Sequence, residues 1–282
     1  MFIAEISSNH QGDLDRITKF IDITSTIGCH AIKFQLFKVD QLFAPEILEK
    51  SEEHRKRRLW ELPLEFVPQI AKRCRQKGIK FACTPFYIDA VQELKPYVDF
   101  YKVASYELLW DELLVACAKS GKPVILSTGM ATISEIKHAV DVLKSNGCKN
   151  PTLLHCNSAY PTPVLDANLS AIKTLRDEIG CEVGWSDHSA DPAVLYRAIH
   201  KWNAKVIEFH LDLDGDGDEF ASGHCWLPEE IKMVIDNVSK GFMADGNGIK
   251  EPSISEIPDR NWRADPSDGL RPLKNIRDNW KP

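Results

Sequence analysis

Two short apolar runs each end in a histidine: Cys181-Glu-Val-Gly-Trp-Ser-Asp-His188 and Ala204-Lys-Val-Ile-Glu-Phe-His210. A segment with helical spacing separates them. If both runs are parallel strands of a barrel, their C-terminal ends converge on one mouth, where such barrels carry their chemistry. Two imidazoles delivered there from neighbouring strands can hold a divalent metal and leave positions open for water and substrate. Either histidine alone also reads as a buried ring satisfied by a backbone carbonyl. Their matched position at two strand ends favours a site.

The same mouth gathers other reactive groups. Lys33 lies inside the run Ala31–Leu36 and Lys102 inside Phe100–Ala104. A charge in a buried strand is costly unless it is paired or meets a ligand. Two such lysines point to an anion between them, against the alternative of buried Lys–Glu pairs. Ser105, Ser127 and Ser186 add hydroxyl donors suited to phosphate and carboxylate oxygens. Glu5, Gln35, Glu107, Asn157, Ser158 and Tyr160 also fall at or just beyond strand ends. Lys102 has a rival role as a Schiff-base nucleophile, which favours a desolvated amine and needs no metal. The paired histidines and second lysine weigh against it.

The elements that must position these residues repeat. Eight strand-like runs are Phe2–Ile6, Ala31–Leu36, Ile79–Thr84, Phe100–Ala104, Pro123–Ser127, Thr152–Cys156, Cys181–Trp185 and Val206–His210. Helical patterns lie between them, among them Asp13–Ile27, Leu64–Lys77, Ile133–Asn146 and Pro192–Trp202. Gly28, Gly78, Gly121, Gly147 and Gly180 each fall between a helix end and the next strand, where a left-handed cap belongs. The expected fold is α/β, a (β/α)8 TIM barrel over residues 1–244. A doubly wound sheet is the runner-up, but no Gly-x-Gly-x-x-Gly follows the first strand. Phe37–Glu61, with the charged run Ser51–Arg58, reads as a solvated connection. Residues 245–282 read as an extended tail, not a second domain.

Composition agrees with a single large core. With 282 residues, 43% of them hydrophobic, the chain has the size of one such barrel. A net charge of −6, with Lys and Arg scattered, argues against a nucleic-acid partner. No apolar run reaches the roughly 18 residues of a membrane span. The eight cysteines form no Cys-x-x-Cys pair, and free thiols without a signal peptide point to the cytoplasm. Cys83 and Cys156 read as small buried hydrophobes.

Six strings carry a resemblance: Ala-Glu-Ile-x-x-Asn-His-x-Gly (4–12), Lys-Phe-Gln (33–35), Tyr-Lys-Val-Ala-Ser (101–105), Leu-Ser-Thr-Gly-Met-Ala (126–131), Leu-His-Cys-x-Ser-Ala-Tyr-Pro-Thr-Pro (154–163) and Gly-x-Ser-Asp-His (184–188). In order and spacing the chain resembles the sialic acid synthase family from residue 3 to about 260. That resemblance implies condensation of phosphoenolpyruvate with an open-chain N-acylated hexose such as N-acetylmannosamine, giving a nine-carbon 2-keto acid and using Mn²⁺ or Mg²⁺, with Co²⁺ an alternative. It implies that Lys33, Lys102, Ser105, Ser127 and Ser186 hold phosphoenolpyruvate, and that His188 and His210 hold the metal. Glu5, Gln35, Glu107 and Tyr160 would then meet the sugar or its reacting groups.

Departures from the family pattern shape the remaining expectations. The C-terminal antifreeze-protein-like domain of these synthases is absent from this sequence, Ser158 stands where some members have Asn, and the loop after His210 lacks Gly-Pro-Asp. That loop, Asp212–His224, has the acid density of a calcium loop, but its twelfth position is Gly223 and no helix precedes it. It is read as a remodelled lid in which Asp212, Glu219 and His224 serve the sugar. The tail, with Trp262, Leu270 and Trp280, is read as the contact of a homodimer. The non-catalytic alternative is a sugar-phosphate-binding barrel.

Overall fold

The computed structural model describes residues 1–281; Pro282, the last residue of the expected tail, lies outside them. Eight parallel strands close on themselves. They are β1 (Phe2–Glu5), β2 (Ala31–Leu36), β3 (Lys80–Pro85), β4 (Phe100–Val103), β5 (Val124–Ser127), β6 (Thr152–Cys156), β7 (Glu182–Asp187) and β8 (Ile207–Leu211). Each pairs with the next, and β1 pairs with β8 in the register Glu5↔His210. The fold is a (β/α)8 TIM barrel. A two-residue strand, β9 (Cys225–Trp226), adds to the outside of β8.

The helices between strands are amphipathic, and their apolar stripes bury against the sheet. They are α1 (Leu14–Thr26), α2 (Val67–Lys77), α3 (Ile88–Leu94), α4 (Asp111–Lys119), α5 (Ile133–Ser145), α6 (Ala171–Ile179), α7 (Pro192–Tyr196) and α8 (Pro228–Ala244). Asp13 starts α1 by accepting from the amides of Asp15 and Arg16, and Thr132 starts α5 through a capping box with Glu135. Gly78 and Gly180 end α2 and α6 at φ 71°, a conformation costly for any residue with a Cβ. The other three glycines expected at such ends also have positive φ. The helix expected over Pro192–Trp202 breaks instead: α7 widens into a π turn at Arg197–Lys201.

Strand periodicity explains what fills the barrel, because alternate residues point inward. One inner layer is apolar and comes from Ile3, Ala31, Ala82, Phe100, Ile125, Leu154 and Val206. On β7 the matching position is Gly184, where a Cβ would lie 2.1 Å from the Val206 carbonyl oxygen. Two residues further along each strand stand Glu5, Lys33, Thr84, Lys102, Ser127, Cys156, Ser186 and Glu208. Every strand thus contributes one polar or sulfur group to a ring resting on an apolar floor.

The chain divides into a unit spanning Met1–Val238 and a second beginning at Ser239. The second unit contains short helical turns at Ile254–Glu256, Arg260–Trp262 and Lys274–Arg277. Its turns bond to one another: Arg277 forks onto Asp268 at 2.8 and 2.9 Å, and Asp265 accepts from the Lys274 amide. Within itself, then, this segment is folded rather than extended. Among the described residues no helix is long and apolar enough to cross a membrane.

Candidate active site

The polar ring opens into a cavity of about 340 Å³. Glu5, Lys33, Lys102, Ser127, Ser186 and Glu208 are each at most 3% exposed, so their charges must be settled internally. Lys33 pairs with Glu5 and donates to Thr84 Oγ1 at 3.1 Å; Lys102 lies 3.2 Å from Glu208. Glu208 also faces Lys33 at 3.8 Å and accepts from Ser186 Oγ at 3.3 Å. The anions between the lysines are therefore the chain's own carboxylates. Although burial alone would raise Glu208, the two lysines hold its carboxyl below the usual range. Lys33 is likewise held up, against burial, by Glu208 and Glu5.

Several buried polar atoms have no hydrogen-bond partner among the described residues. Ser127 Oγ is buried and unbonded, as is one oxygen each of Glu5, Glu208 and Glu107 in hydrogen-bonding terms. Ser105 Oγ accepts from the Gly129 amide at 2.9 Å and sits 3.2 Å from Cys156 Sγ. Cys156 is thus part of the cavity wall, whereas Cys83, its companion in the sequence reading, packs among core side chains.

The two strand-end histidines meet. Their ring centroids are 5.3 Å apart, and the Tyr160 ring stacks on His188 at 4.1 Å. His188 Nδ1 is 2.7 Å from the Asn157 carbonyl, which leaves the other ring nitrogen available. Burial and then the neighbouring His210 push His188 down to about 3. His210 behaves oppositely: burial would lower it, but bonds to Cys225 and Glu219 outweigh that and hold it up to about 10. Glu219 accepts from His210 Nδ1 at 2.8 Å and from the Ser8 amide and hydroxyl at 3.0 and 2.7 Å. His210, Glu219, His224 and Cys225 each bring one ligand atom within 4.8 Å of the others, and His224 Nδ1 is buried without a hydrogen-bond partner among the described residues. This nitrogen- and carboxylate-rich set fits a divalent cation, with the His188 ring beside that of His210.

Of the residues expected at the site, Glu5, Lys33, Gln35, Lys102, Ser105, Ser127, Tyr160, Ser186, His188, His210, Glu219 and His224 line one cavity. Glu107 lies just beyond it, and burial raises its carboxyl to about 7 despite the opposing charge of Lys102. Asn157 spends its side chain on Asp166 and Ala159, and the hydroxyl of Ser158 crowds Gly129 instead. Asp212 faces away, accepting from the amides of Leu213, Gly215 and Gly217 and pairing with Arg16 at 2.9 Å. It shapes the loop and does not line the cavity. The loop's far end is stapled too: the indoles of Trp185 and Trp226 both donate to buried Asp187, at 3.0 and 3.1 Å.

Sequence reasoning missed Glu208, Thr84, Cys156, Arg57 and Trp60. The first three were within reach, because each follows an inward apolar residue by two positions. Arg57 and Trp60 overturn the reading of Ser51–Arg58 as a purely solvated face. The long connection folds into short helices at Val39–Leu42, Pro45–Lys50 and Glu52–Lys56 and a turn at Arg57–Trp60, whose first and last residues reach the mouth.

Comparison with known proteins agrees with the geometry. Residues 20–250 match the model of the NeuB family. The chain is 34% identical over 270 residues to the N,N'-diacetyllegionaminic acid synthase of Campylobacter jejuni, covering 91% of this chain and 80% of that protein. It is 34% identical over 259 residues to a pseudaminic acid synthase of the same species, covering 87% and 75%. The crystal structure of an N-acetylneuraminic acid synthetase from Leptospira borgpetersenii in complex with citrate superposes with a TM-score of 0.80 at 33% identity, covering 92% of this chain and 89% of that one. The chain belongs to the NeuB family.

Proposed function

We propose that the protein condenses phosphoenolpyruvate with an N-acylated hexosamine or related aldose, with water adding at carbon 2 as phosphate leaves, to give a sialic-acid-like 2-keto acid. The observation that carries this reading is the ring itself. Two lysines and two unengaged or half-engaged serines stand on an apolar floor directly below a pair of imidazoles. A bound phosphoenolpyruvate would replace Glu5 and Glu208 as partner of Lys33 and Lys102, with Ser127 and Ser186 donating to its oxygens. Pinning both anionic ends orients carbon 3 toward an aldehyde above it.

The ring by itself is close to neutral, two ammonium groups against two carboxylates, so a highly charged substrate calls for further positive charge. His188 and His210, with Glu219 and His224, would hold the divalent metal, Mn²⁺ or Mg²⁺. When bound, that ion acts as a Lewis acid on an aldehyde oxygen. Gln35, bonded to Glu5 at 2.9 Å, and Tyr160 would border the sugar. Glu107, with its raised carboxyl, can hold a proton near Lys102 at neutral pH. A Schiff base on Lys102 fits less well, because its amine is engaged by Glu208 rather than free in an apolar pocket.

The test is phosphate release from phosphoenolpyruvate across a panel of N-acyl hexosamines and plain aldoses, with and without Mn²⁺. Release that depends on both an acylated acceptor and the metal is expected. No release with any acceptor would end the reading.

A further inference from the structure

The short strand β9 brings a cysteine to the histidine cluster. Its pairing with β8 sets Cys225 beside His210 in register, and His224 immediately precedes it. Glu219 comes from the helical turn Asp218–Ala221 and is fixed by the Ser8 amide and hydroxyl. Three groups converge on Glu219 Oε2: His210 Nδ1 at 2.8 Å, His224 Nε2 at 3.5 Å and Cys225 Sγ at 4.0 Å. A tetrahedral zinc shell, with Zn–N roughly 2.0–2.1 Å and Zn–S roughly 2.3 Å, sets its ligand atoms about 3.3–3.7 Å apart. The observed separations straddle that spacing. His210, His224 and Cys225 are each at most 8% exposed, so the set is shielded from bulk water. Behind the sulfur, the Asn9 side-chain amide donates to Cys225 Sγ at 3.6 Å and to the Leu211 carbonyl at 2.9 Å. An N–H anchored in this way supports a thiolate, the form in which sulfur binds a metal.

We propose that His210, Glu219, His224 and Cys225 form a closed four-ligand site for a thiophilic divalent cation, Zn²⁺ or Co²⁺, with the Cys225 thiolate as a direct ligand. Two neutral imidazoles, one carboxylate and one thiolate balance the charge of such an ion, so the filled set leaves no net charge in the interior. As the ion enters, the Cys225 thiol and His210 Nδ1 each give up a proton to water. Sulfur separates this site from Mg²⁺ and Mn²⁺ chemistry, because hard ions prefer oxygen and a thiolate favours softer ones. Four protein ligands also leave no position for substrate, unlike the open pair of His188 and His210. His188 takes no part in the closed site. The two arrangements draw on one imidazole, that of His210, and compete for it. The site goes beyond the condensation reading and does not depend on it.

Cobalt titration of the metal-free, full-length protein, followed by absorption, tests this. Wild type should develop a sulfur-to-cobalt charge-transfer band in the near ultraviolet together with the intense visible bands of tetrahedral cobalt. Both should vanish on addition of Zn²⁺ and persist in excess Mg²⁺. Cys225→Ser, close to the native side chain in size, should abolish the charge-transfer band and weaken Co²⁺ binding at least about tenfold. His224→Ala should lose the tetrahedral visible bands, whereas His188→Ala should keep both signals. Asn9→Ala should keep the charge-transfer band with binding weakened about tenfold. A charge-transfer band that survives in Cys225→Ser would come from another thiol and overturn the assignment. So would a wild-type spectrum without that band, or one that disappears in His188→Ala and not in His224→Ala. The wild-type, His188→Ala and His224→Ala spectra decide the question even where Cys225→Ser does not fold. Turnover enters none of these spectra, so a failed cobalt titration and a failed condensation assay are separate results.

Discussion

Lys102 Nζ and a carboxylate oxygen of Glu208 lie 3.2 Å apart, and each side chain is about 5% exposed or less. The pair spans the barrel interior from β4 to β8 and shares Glu208 with Lys33. Such a pair adds little net stability relative to apolar residues, but removing one member leaves an uncompensated charge.

Glu208→Gln should therefore destabilise the protein by about 3–5 kcal/mol in urea unfolding, and Lys102→Met/Glu208→Gln by less than the two single changes added together. Additive losses would mean that the pair does not couple. In kinetics, Lys33→Met and Lys102→Met should each cost on the order of 2–4 kcal/mol in transition-state stabilisation with phosphoenolpyruvate. An effect limited to acceptor KM would exchange the assigned roles.

Metal removal should separate activity from folding. His188 is fixed by the Asn157 carbonyl and His210 by Glu219 through contacts that need no ion. Chelator treatment should stop turnover while the thermal midpoint moves only slightly, and the His188→Ala/His210→Ala protein should be inactive with or without added Mn²⁺. Full activity of that double variant would refute the metal assignment.

Glu107 supplies a pH test of stability. Its carboxyl is raised from the ordinary 4.5 to about 7 by burial, so the folded protein binds its proton more tightly than the unfolded chain does. The cost is absent below about pH 4.5, grows as pH rises, and is complete above about pH 7. Glu107→Gln should gain on wild type across that window, approaching about 3 kcal/mol. A pH-independent difference would show that Glu107 titrates normally.

Asp212 should prove structural. Asp212→Ala strips the acceptor from three loop amides and from Arg16, at a cost on the order of 3 kcal/mol, and should raise the Mn²⁺ concentration needed for half-maximal activity by loosening Glu219. Asp214→Asn at the 43% exposed partner of the same arginine should cost less than about 1 kcal/mol. Equal losses would place the loop's anchor elsewhere.

Local signals made the barrel legible. Gly78 and Gly180 mark helix ends because few other residues accept their φ, and runs such as Ala31–Leu36 are apolar because both faces are covered. Lys33 and Lys102 stood out for the same reason, as charges inside such runs. Glu208 is harder to see: it reads as part of a run ending in His210, although the inward period of two places it level with Lys102. Arg57 and Trp60 left no local trace. Their position follows from how a long charged connection packs on the turn after β1, a tertiary fact that no spacing encodes.

The staple at Asp187 has an evolutionary consequence. Asp212 N donates to the Trp226 carbonyl at 3.0 Å, and the Trp226 indole is tied through Asp187 to β7, so the feet of the loop are clamped to the barrel independently of its tip. Changes between Leu213 and Ser222 that keep Glu219, the partner of His210, can then be sampled without displacing the imidazoles. Variation of the loop and preservation of the polar ring beneath it become separable traits. A laboratory swapping such segments between homologous scaffolds would be exploiting a modularity already built into the framework.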